Sequence, residues 1–283
     1  MILSSLFHAA PSLADDITRL VDRYYSDMFA RYERRLSAMQ VNGDFRRFVV
    51  ARMGSTGSTW LAKLLNSHPE VFCSHEGILD RIYPSNSYGG DDIVDFIEML
   101  GWDTKHNAYH AVGDVGSVWT LHLPFTPFQT AVLLRHPARV LRTRLDVFPK
   151  DQAFTALNAE TQFFLRRLWK IDLASQSPID QIFLQDLWVY SLQLWALGKA
   201  ALTIRIEDMQ STEECARALN ALTGLDFDTD LIDWFKRQRV NHRSNGELSV
   251  SSILSSFSPR QRQWYKAILR ETIDRFGYSL ASD

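Results

Sequence analysis

The chain has 283 residues, of which 46% are hydrophobic and 23% are charged. This composition is ordinary for a soluble globular protein and excludes collagen, coiled coils and wholesale disorder. Lysine plus arginine (31) nearly balances aspartate plus glutamate (33), and the net charge is −2. The charge provides no global basic field for nucleic acid, so we expect no nucleic-acid partner, and any anion site must be local.

The cysteine usage and the apolar segments bear on location. Cys73 and Cys215 lie far apart and form no CxxC pair, which fits a reducing compartment. The N-terminus lacks a basic region followed by a long apolar core, so we expect no secretory signal. No stretch of about 18 apolar residues occurs, so we expect no transmembrane segment. A cytoplasmic protein is therefore predicted.

The predicted elements alternate between helices and strands. The first helix is predicted over 14–39, within an N-terminal helical extension over 1–45. Short apolar runs predict strands at 48–51, from 71, at 131–134 and at 202–206. Further helices are predicted at 60–67, 92–100, from Pro137, and at 154–175, 181–200, 211–222, 229–238 and 259–276, with a serine-rich surface loop at 249–258. The alternation favours a single α/β domain over 1–283, in which helices flank a central parallel β-sheet in the core over 46–283.

A small-residue loop joins the first predicted strand to the next helix. The segment from Phe48 to Leu65 runs FVVARMGSTGSTWLAKLL. In this order the N–H groups at the helix N-terminus converge on one point, where the helix dipole also favours an anion. The loop lacks the lysine of GxxxxGK[ST], which weakens an ATPase or kinase interpretation. A strand–helix turn capped by serine and threonine is the alternative.

Further blocks follow in order. The helix continues as LLNSHPEVFCSHE to Glu76, and TAVLLRHPARVLRTRLDVF covers 130–148. TIRIEDM covers 203–209, and SPRQRQWYKAILRETIDRFGY covers 258–278. Together these blocks resemble the PAPS-dependent sulfotransferases, in a bacterial-type form, where PAPS is 3′-phosphoadenosine-5′-phosphosulfate. The resemblance implies a P-loop NTPase-like fold and metal-free transfer of a sulfuryl group from PAPS to a hydroxyl or amine, with PAP as the product.

The resemblance also implies a binding site for the donor. Its loop residues would cradle the 5′-phosphosulfate: Gly54, Ser55, Thr56, Gly57, Ser58 and Thr59. Trp60 matches a tryptophan that stacks on adenine in some members. Arg135 and Thr143, eight positions apart, match the pair that holds the 3′-phosphate. Arg243, in the segment 236–246, is a further candidate for this phosphate, with a solvated loop as the alternative.

Two neighbouring residues are candidates for the general base that sulfuryl transfer requires. The resemblance implies Glu76, because in several sulfotransferases a glutamate at the matching position acts as the general base. His75 is the rival, because an unperturbed imidazole pKa of about 6.5 suits a base. Strand alternation predicts that the two side chains point in opposite directions, so that only one faces the donor.

The sequence departs from the family pattern around the loop. Many members carry a lysine or arginine where Ser55 stands, and the nearest cation is Arg52. We predict that Arg52 screens the leaving phosphate. His110 and Asp114 are candidates to line the site where a Lys-Thr-Pro segment is missing. Arg142 and Arg144 are interpreted as a solvated helix face.

The acceptor is open between a small molecule, a carbohydrate and a peptide. Aromatic residues in or beside the poorly matched segment 77–112 are candidates for an acceptor pocket, with core or interface packing as the alternative: Tyr83, Tyr88, Trp102 and Tyr109. A homodimer is possible. Two other functions stay open, namely a P-loop phosphotransferase that uses ATP and a non-catalytic nucleotide-binding protein with the same fold.

Overall fold

The computed structural model describes residues 12–36, 46–77, 95–96, 109–147, 159–237 and 248–279. Within them, one sheet contains the strands β1 (Arg46–Arg52), β2 (Val71–His75), β3 (Ala111–Gly116), β4 (Gln129–Leu134) and β5 (Leu202–Arg205). The strand order is β2-β3-β1-β4-β5, and every neighbouring pair is parallel. The prediction of an α/β domain with a central parallel sheet is confirmed.

The helices follow the predicted order along the chain. Those in the described residues are α1 (Leu13–Tyr24), α2 (Ser26–Leu36), α3 (Ser58–Leu65), α4 (Pro137–Val147), α5 (Ala159–Trp169), α6 (Pro178–Leu197), α7 (Thr212–Thr223), α8 (Thr229–Arg237), α9 (Val250–Ser256) and α10 (Pro259–Arg275). Two 3-10 turns, Val118–Leu121 and Leu123–Phe125, follow β3. None of the described helices is both long and apolar enough to cross a bilayer.

The central strand β1 is buried on both faces. Val49 and Ala51 enter one apolar core, which includes side chains from α1, α4, α6 and α10. Phe48 and Val50 enter the other, which includes side chains from α3 and α7. All four side chains are fully buried. A strand with this environment is a continuous apolar run in the sequence, which is why β1 was recognisable.

The N-terminal helices pack against this domain. Ile17 and Val21 of α1 are fully buried in the first core. The Trp195 indole of α6 donates a hydrogen bond to Asp22 Oδ1 at 2.8 Å. The segment predicted as an extension therefore contributes to the same core as the helices that cover the sheet.

Several local predictions were wrong. The helix over 14–39 is two helices, interrupted at Tyr25. The serine-rich loop contains α9, because Ser249 caps its N-terminus and Val250 and Ile253 are buried. The helix over 154–175 ends at Trp169, before a residue with positive φ.

The predicted helix at 92–100 lies outside the described residues except for 95–96.

The strand order determines where a ligand can enter. The chain leaves β1 through α3 towards β2 on one side, and β4 later pairs with β1 on the other side. The connections therefore diverge at the carboxyl end of β1. Parallel α/β sheets bind ligands in the crevice at such a point.

Candidate active site

The loop between β1 and α3 lies at this carboxyl end. Thr56 is buried, and its hydroxyl donates to the Met53 carbonyl at 2.9 Å. Gly57 has a φ of +89°, and a Cβ there would lie 2.9 Å from the Ile206 side chain, so both the backbone angle and the packing favour glycine. Gly57 also offers no side chain to cap α3. The N–H groups of the first turn of α3 therefore lack acceptors within the helix.

The two hydroxyls that begin α3 lie beside the end of β2. Ser58 Oγ is 2.9 Å from His75 Nε2, and Thr59 Oγ1 is 3.5 Å from the same nitrogen. Ser58 is buried, whereas His75 is half-buried. His75 therefore contacts the hydroxyl side of the loop.

Glu76 leaves the direction of β2. Its φ is +57°, and its N–H donates to the Val115 carbonyl at 3.1 Å. A Cβ on Gly116 would lie 3.3 Å from Glu76 Oε2, so the glycine leaves space beside the carboxylate. Because Glu76 follows the strand with a left-handed backbone, strand alternation does not apply to it. His75 contacts the hydroxyls of Ser58 and Thr59, whereas Glu76 contacts Arg52 and Ser117.

The Glu76 carboxylate forms an ion pair with Arg52 at the end of β1. It also accepts a hydrogen bond from the Ser117 N–H at 3.1 Å. The Arg52 and Glu76 side chains are only 13% and 11% exposed. Two sequence-predicted residues, 24 positions apart, therefore share one partly buried contact.

Arg135 approaches the loop from the other side. It follows β4, and its Nη1 donates to the Ser55 carbonyl at 3.0 Å. Its own carbonyl accepts a hydrogen bond from the Tyr190 hydroxyl of α6 at 2.6 Å. The Arg135 carbonyl is thus tied to α6, and the guanidinium is directed to the loop.

Thr143 lies farther along, within α4. Its hydroxyl donates to the Arg139 carbonyl of the same helix at 2.8 Å, and the residue is half-buried. The Arg142 side chain is 40% exposed and pairs with Asp146 at 2.9 Å. The interpretation of Arg142 as part of a solvated face therefore fits its surroundings.

The same interpretation was wrong for Arg144. Its side chain is 21% exposed, and its Nε donates to Asp186 Oδ1 at 2.6 Å. A Cβ on Gly54 would lie 2.4 Å from Arg144 Nη1, so this guanidinium lies directly over the loop. Sequence reasoning missed this role, because Asp186 is 42 positions away in another helix.

A cavity of about 690 Å³ opens beside the Arg52–Glu76 pair. Its polar lining includes these two residues together with Arg144 and Asp186. Apolar side chains form much of the remaining wall: Met28, Tyr32, Val118, Leu121, Val189 and Leu192. One wall therefore comes from α2, which the sequence did not connect with the site.

Other predicted residues lie elsewhere. His110 is exposed and precedes β3, at the edge of the sheet opposite the loop. Asp114 is fully buried, accepts hydrogen bonds from Ser74 Oγ at 2.5 Å and Trp119 Nε1 at 2.6 Å, and supports the ends of β2 and β3. Neither residue lines the cavity.

The aromatic candidates are also separate from the cavity where they are described. Tyr109 packs against Phe72, with 5.8 Å between the ring centroids. Trp60 lies on α3, and its indole N–H is 3.4 Å from the Phe235 carbonyl. Four predicted site residues lie outside the described residues: Tyr83, Tyr88, Trp102 and Arg243.

Comparison with known proteins found similarity to a solved structure. No family model matches the chain, and no curated protein matches it. The chain is similar to the crystal structure of mouse sulfotransferase SULT7A1 complexed with PAP, at 11% identity and a TM-score of 0.44. The match covers 86% of this chain and 89% of that chain. The mouse origin gives no support to the bacterial-type assignment, and a likeness at this level leaves the function to be inferred from the site.

Proposed function

We propose that the protein is a sulfotransferase that transfers a sulfuryl group from PAPS to a hydroxyl or amine acceptor. The observation that carries this proposal is that Arg52 with Glu76 from one side, and Arg135 from the other, meet at a single strand–loop–helix turn. This arrangement supplies positive charge at two places around an uncapped helix N-terminus, with a carboxylate that lines the cavity.

The donor would bind with its 5′ end in the loop. The N–H groups at the start of α3 and the hydroxyls of Ser58 and Thr59 are suited to the oxygens of a phosphosulfate. A guanidinium can hold a phosphate through two parallel charge-assisted hydrogen bonds, which suits Arg135 to the 3′-phosphate. By the resemblance, Thr143 and Arg243 would assist at this phosphate, and Trp60 would contact the adenine.

The proposed transfer is an in-line displacement. The acceptor oxygen forms a bond to sulfur while the bond between sulfur and the 5′-phosphate oxygen breaks, and PAP leaves. The acceptor proton passes to the Glu76 carboxylate. Arg52 and Ser117 stabilise that carboxylate in its ionised form, which is the form that accepts a proton. Negative charge grows on the leaving phosphate, where Arg52 and the loop N–H groups would stabilise it.

Glu76 is favoured over His75 as the base by its position. Glu76 lines the cavity, whereas His75 contacts the hydroxyls of Ser58 and Thr59. The cavity wall is largely apolar, which suits a small-molecule acceptor over a long carbohydrate or peptide. A cytoplasmic location, a homodimer and one domain over the whole of 1–283 remain predictions.

The test uses the purified chain with PAP and PAPS. We expect millimolar PAP to raise the melting temperature, because a ligand that binds the native state stabilises it. Arg135→Ala should lose most of this shift, whereas Arg217→Ala, which alters an exposed ion pair on α7, should keep it. Glu76→Gln should keep the PAP shift but lower PAP release from PAPS and an acceptor by about 10²–10⁴-fold.

Other outcomes would point to the alternatives. A wild-type protein that PAP does not stabilise would contradict the proposal. Magnesium-dependent turnover of ATP would favour a phosphotransferase. Tight PAP binding without transfer to any acceptor would favour a non-catalytic nucleotide-binding protein.

A further inference from the structure

Arg144 lies where the loop lacks a cation of its own. A Cβ on Gly54 would be 2.4 Å from Arg144 Nη1 and 3.8 Å from Arg52 Nη1. Two guanidinium groups, from β1 and from α4, therefore converge over the same loop residue. Ser55, the next residue, stands where the resemblance would place a lysine or arginine.

Asp186 determines the orientation of Arg144. The hydrogen bond of 2.6 Å joins Asp186 Oδ1 to Nε, on the stem side of the guanidinium. The Nη1 end is thereby turned towards Gly54. Asp186 is only 2% exposed and lies in α6, a helix of 20 residues that packs against both α4 and α10. The guanidinium is thus held by a rigid element of the core.

The two guanidinium groups lie close to each other in a partly buried site. Arg52 pairs with Glu76, and Arg144 pairs with Asp186. Burial, and secondarily the positive charge of Arg144, lowers the pKa of Arg52 to about 10, so the two guanidinium groups lie close enough to repel. Because Nη1 of both arginines lies near Gly54, an anion bound at the loop could contact both groups and offset the repulsion between them.

We infer that Arg144 is a cationic contact for the 5′-phosphosulfate end of the donor and that Asp186 is its positioning residue. This inference rests on the proposed function. As the sulfur–oxygen bond to the 5′-phosphate breaks and the acceptor proton moves to Glu76, negative charge develops on the phosphate oxygen. Arg144 stabilises that charge from the α4 side, as a preorganised donor in a partly buried site.

The test compares two nucleotides that differ only at the 5′ end, PAP and adenosine 3′-monophosphate. The wild type should be stabilised more by PAP. With Arg144→Met, most of the extra rise in melting temperature that PAP produces over adenosine 3′-monophosphate should be lost. The rise produced by adenosine 3′-monophosphate should be kept. The kcat/KM of this variant for PAPS should fall by about 100-fold or more. Arg142→Met, two residues earlier on the exposed side of α4, is the matched control and should behave as the wild type.

Asp186→Asn tests the positioning role. It should reduce the extra stabilisation by PAP over adenosine 3′-monophosphate although Arg144 is present. Arg144→Lys should restore part of the extra stabilisation that Arg144→Met loses. Should a single variant fail to fold, Arg144→Met with Asp186→Leu removes both charges together, which proteins tolerate better than a lone buried charge. The double variant should show the same loss of discrimination at the 5′ end.

The outcomes separate the inference from the proposed function. An Arg144→Met protein, or the folded double variant, that keeps the wild-type difference between PAP and adenosine 3′-monophosphate and a kcat/KM within about threefold of wild type would overturn the inference alone. A wild type that neither nucleotide stabilises would overturn both.

Discussion

His122 shows how burial fixes the chemical state of one residue in the cavity wall. Its Nδ1 lies 2.7 Å from the Val118 carbonyl, and because a carbonyl only accepts, Nδ1 carries the proton. The ring packs on Tyr32, with 4.8 Å between centroids. Burial lowers the pKa of His122 to about 4, so the imidazole is neutral throughout the physiological range.

The neutral imidazole of His122 should make the stability of the folded protein depend on pH in the acid range. In the unfolded chain His122 binds a proton below about pH 6.5, whereas in the folded protein it does so only below about pH 4. The folded state therefore loses stability as the pH falls through this window, by about 3 kcal/mol in total from this residue. We expect His122→Asn to flatten this part of the pH dependence of urea unfolding. Equal slopes in wild type and His122→Asn would contradict the prediction.

At the scale of elements, β3 depends on a close approach between strands. Gly113 lies opposite Phe48 of β1 in the register. A Cβ on Gly113 would lie 2.4 Å from the Phe48 ring and equally close to the Phe48 carbonyl oxygen. The strand therefore requires glycine in the middle of a sheet, where glycine is otherwise unfavourable.

Gly113→Ala should consequently destabilise the domain by about 1–3 kcal/mol through overpacking. Gly198→Ala, at the end of α6, is the control, because the nearest atom to its new Cβ would be 3.6 Å away. The free energies of unfolding in urea would measure both effects. If the two variants unfold alike, the close packing of β1 and β3 does not limit stability.

At the scale of the whole molecule, the cavity is an assembly of distant segments. Met28 and Tyr32 come from α2, Val118 and Leu121 from the turn after β3, and Val189 and Leu192 from α6. The donor loop contributes Met53 and Gly54 to the same cavity, whereas the apolar side chains come from these other segments. Acceptor binding and donor binding should therefore respond to different substitutions.

Leu192→Trp should fill part of the cavity and raise the KM for an acceptor by about tenfold or more, while the stabilisation by PAP stays near wild type. Ile179→Trp, in the first turn of α6 and 38% exposed, provides the control. Steady-state kinetics and melting curves with PAP measure the two effects. Unchanged acceptor kinetics in a folded Leu192→Trp protein would show that the cavity is not the acceptor site.

Much of the fold could be predicted because local sequence patterns indicate its strands, its helices and the loop. The buried runs of β1 and β4, the proline that begins α4 and the small residues of the loop are visible without the structure. β3 was missed because its residues, AVGDVG, include two glycines and an aspartate, which are rare in strands. Its place in the sheet is decided by its neighbours Phe48 and Cys73.

Local patterns in the sequence were enough to predict the order of the elements, the loop at the end of β1, and the candidates Arg52, Glu76 and Arg135, since each follows a recognisable strand or belongs to a motif. Which of these groups meet depends on the packing of the folded chain. Glu76 contacts Arg52 because its backbone is left-handed and because Gly116, which has no side chain, leaves room for the carboxylate. Arg144 lies over the loop because α6 supplies Asp186. Such contacts join positions far apart in the chain, and no local pattern encodes the packing that brings them together.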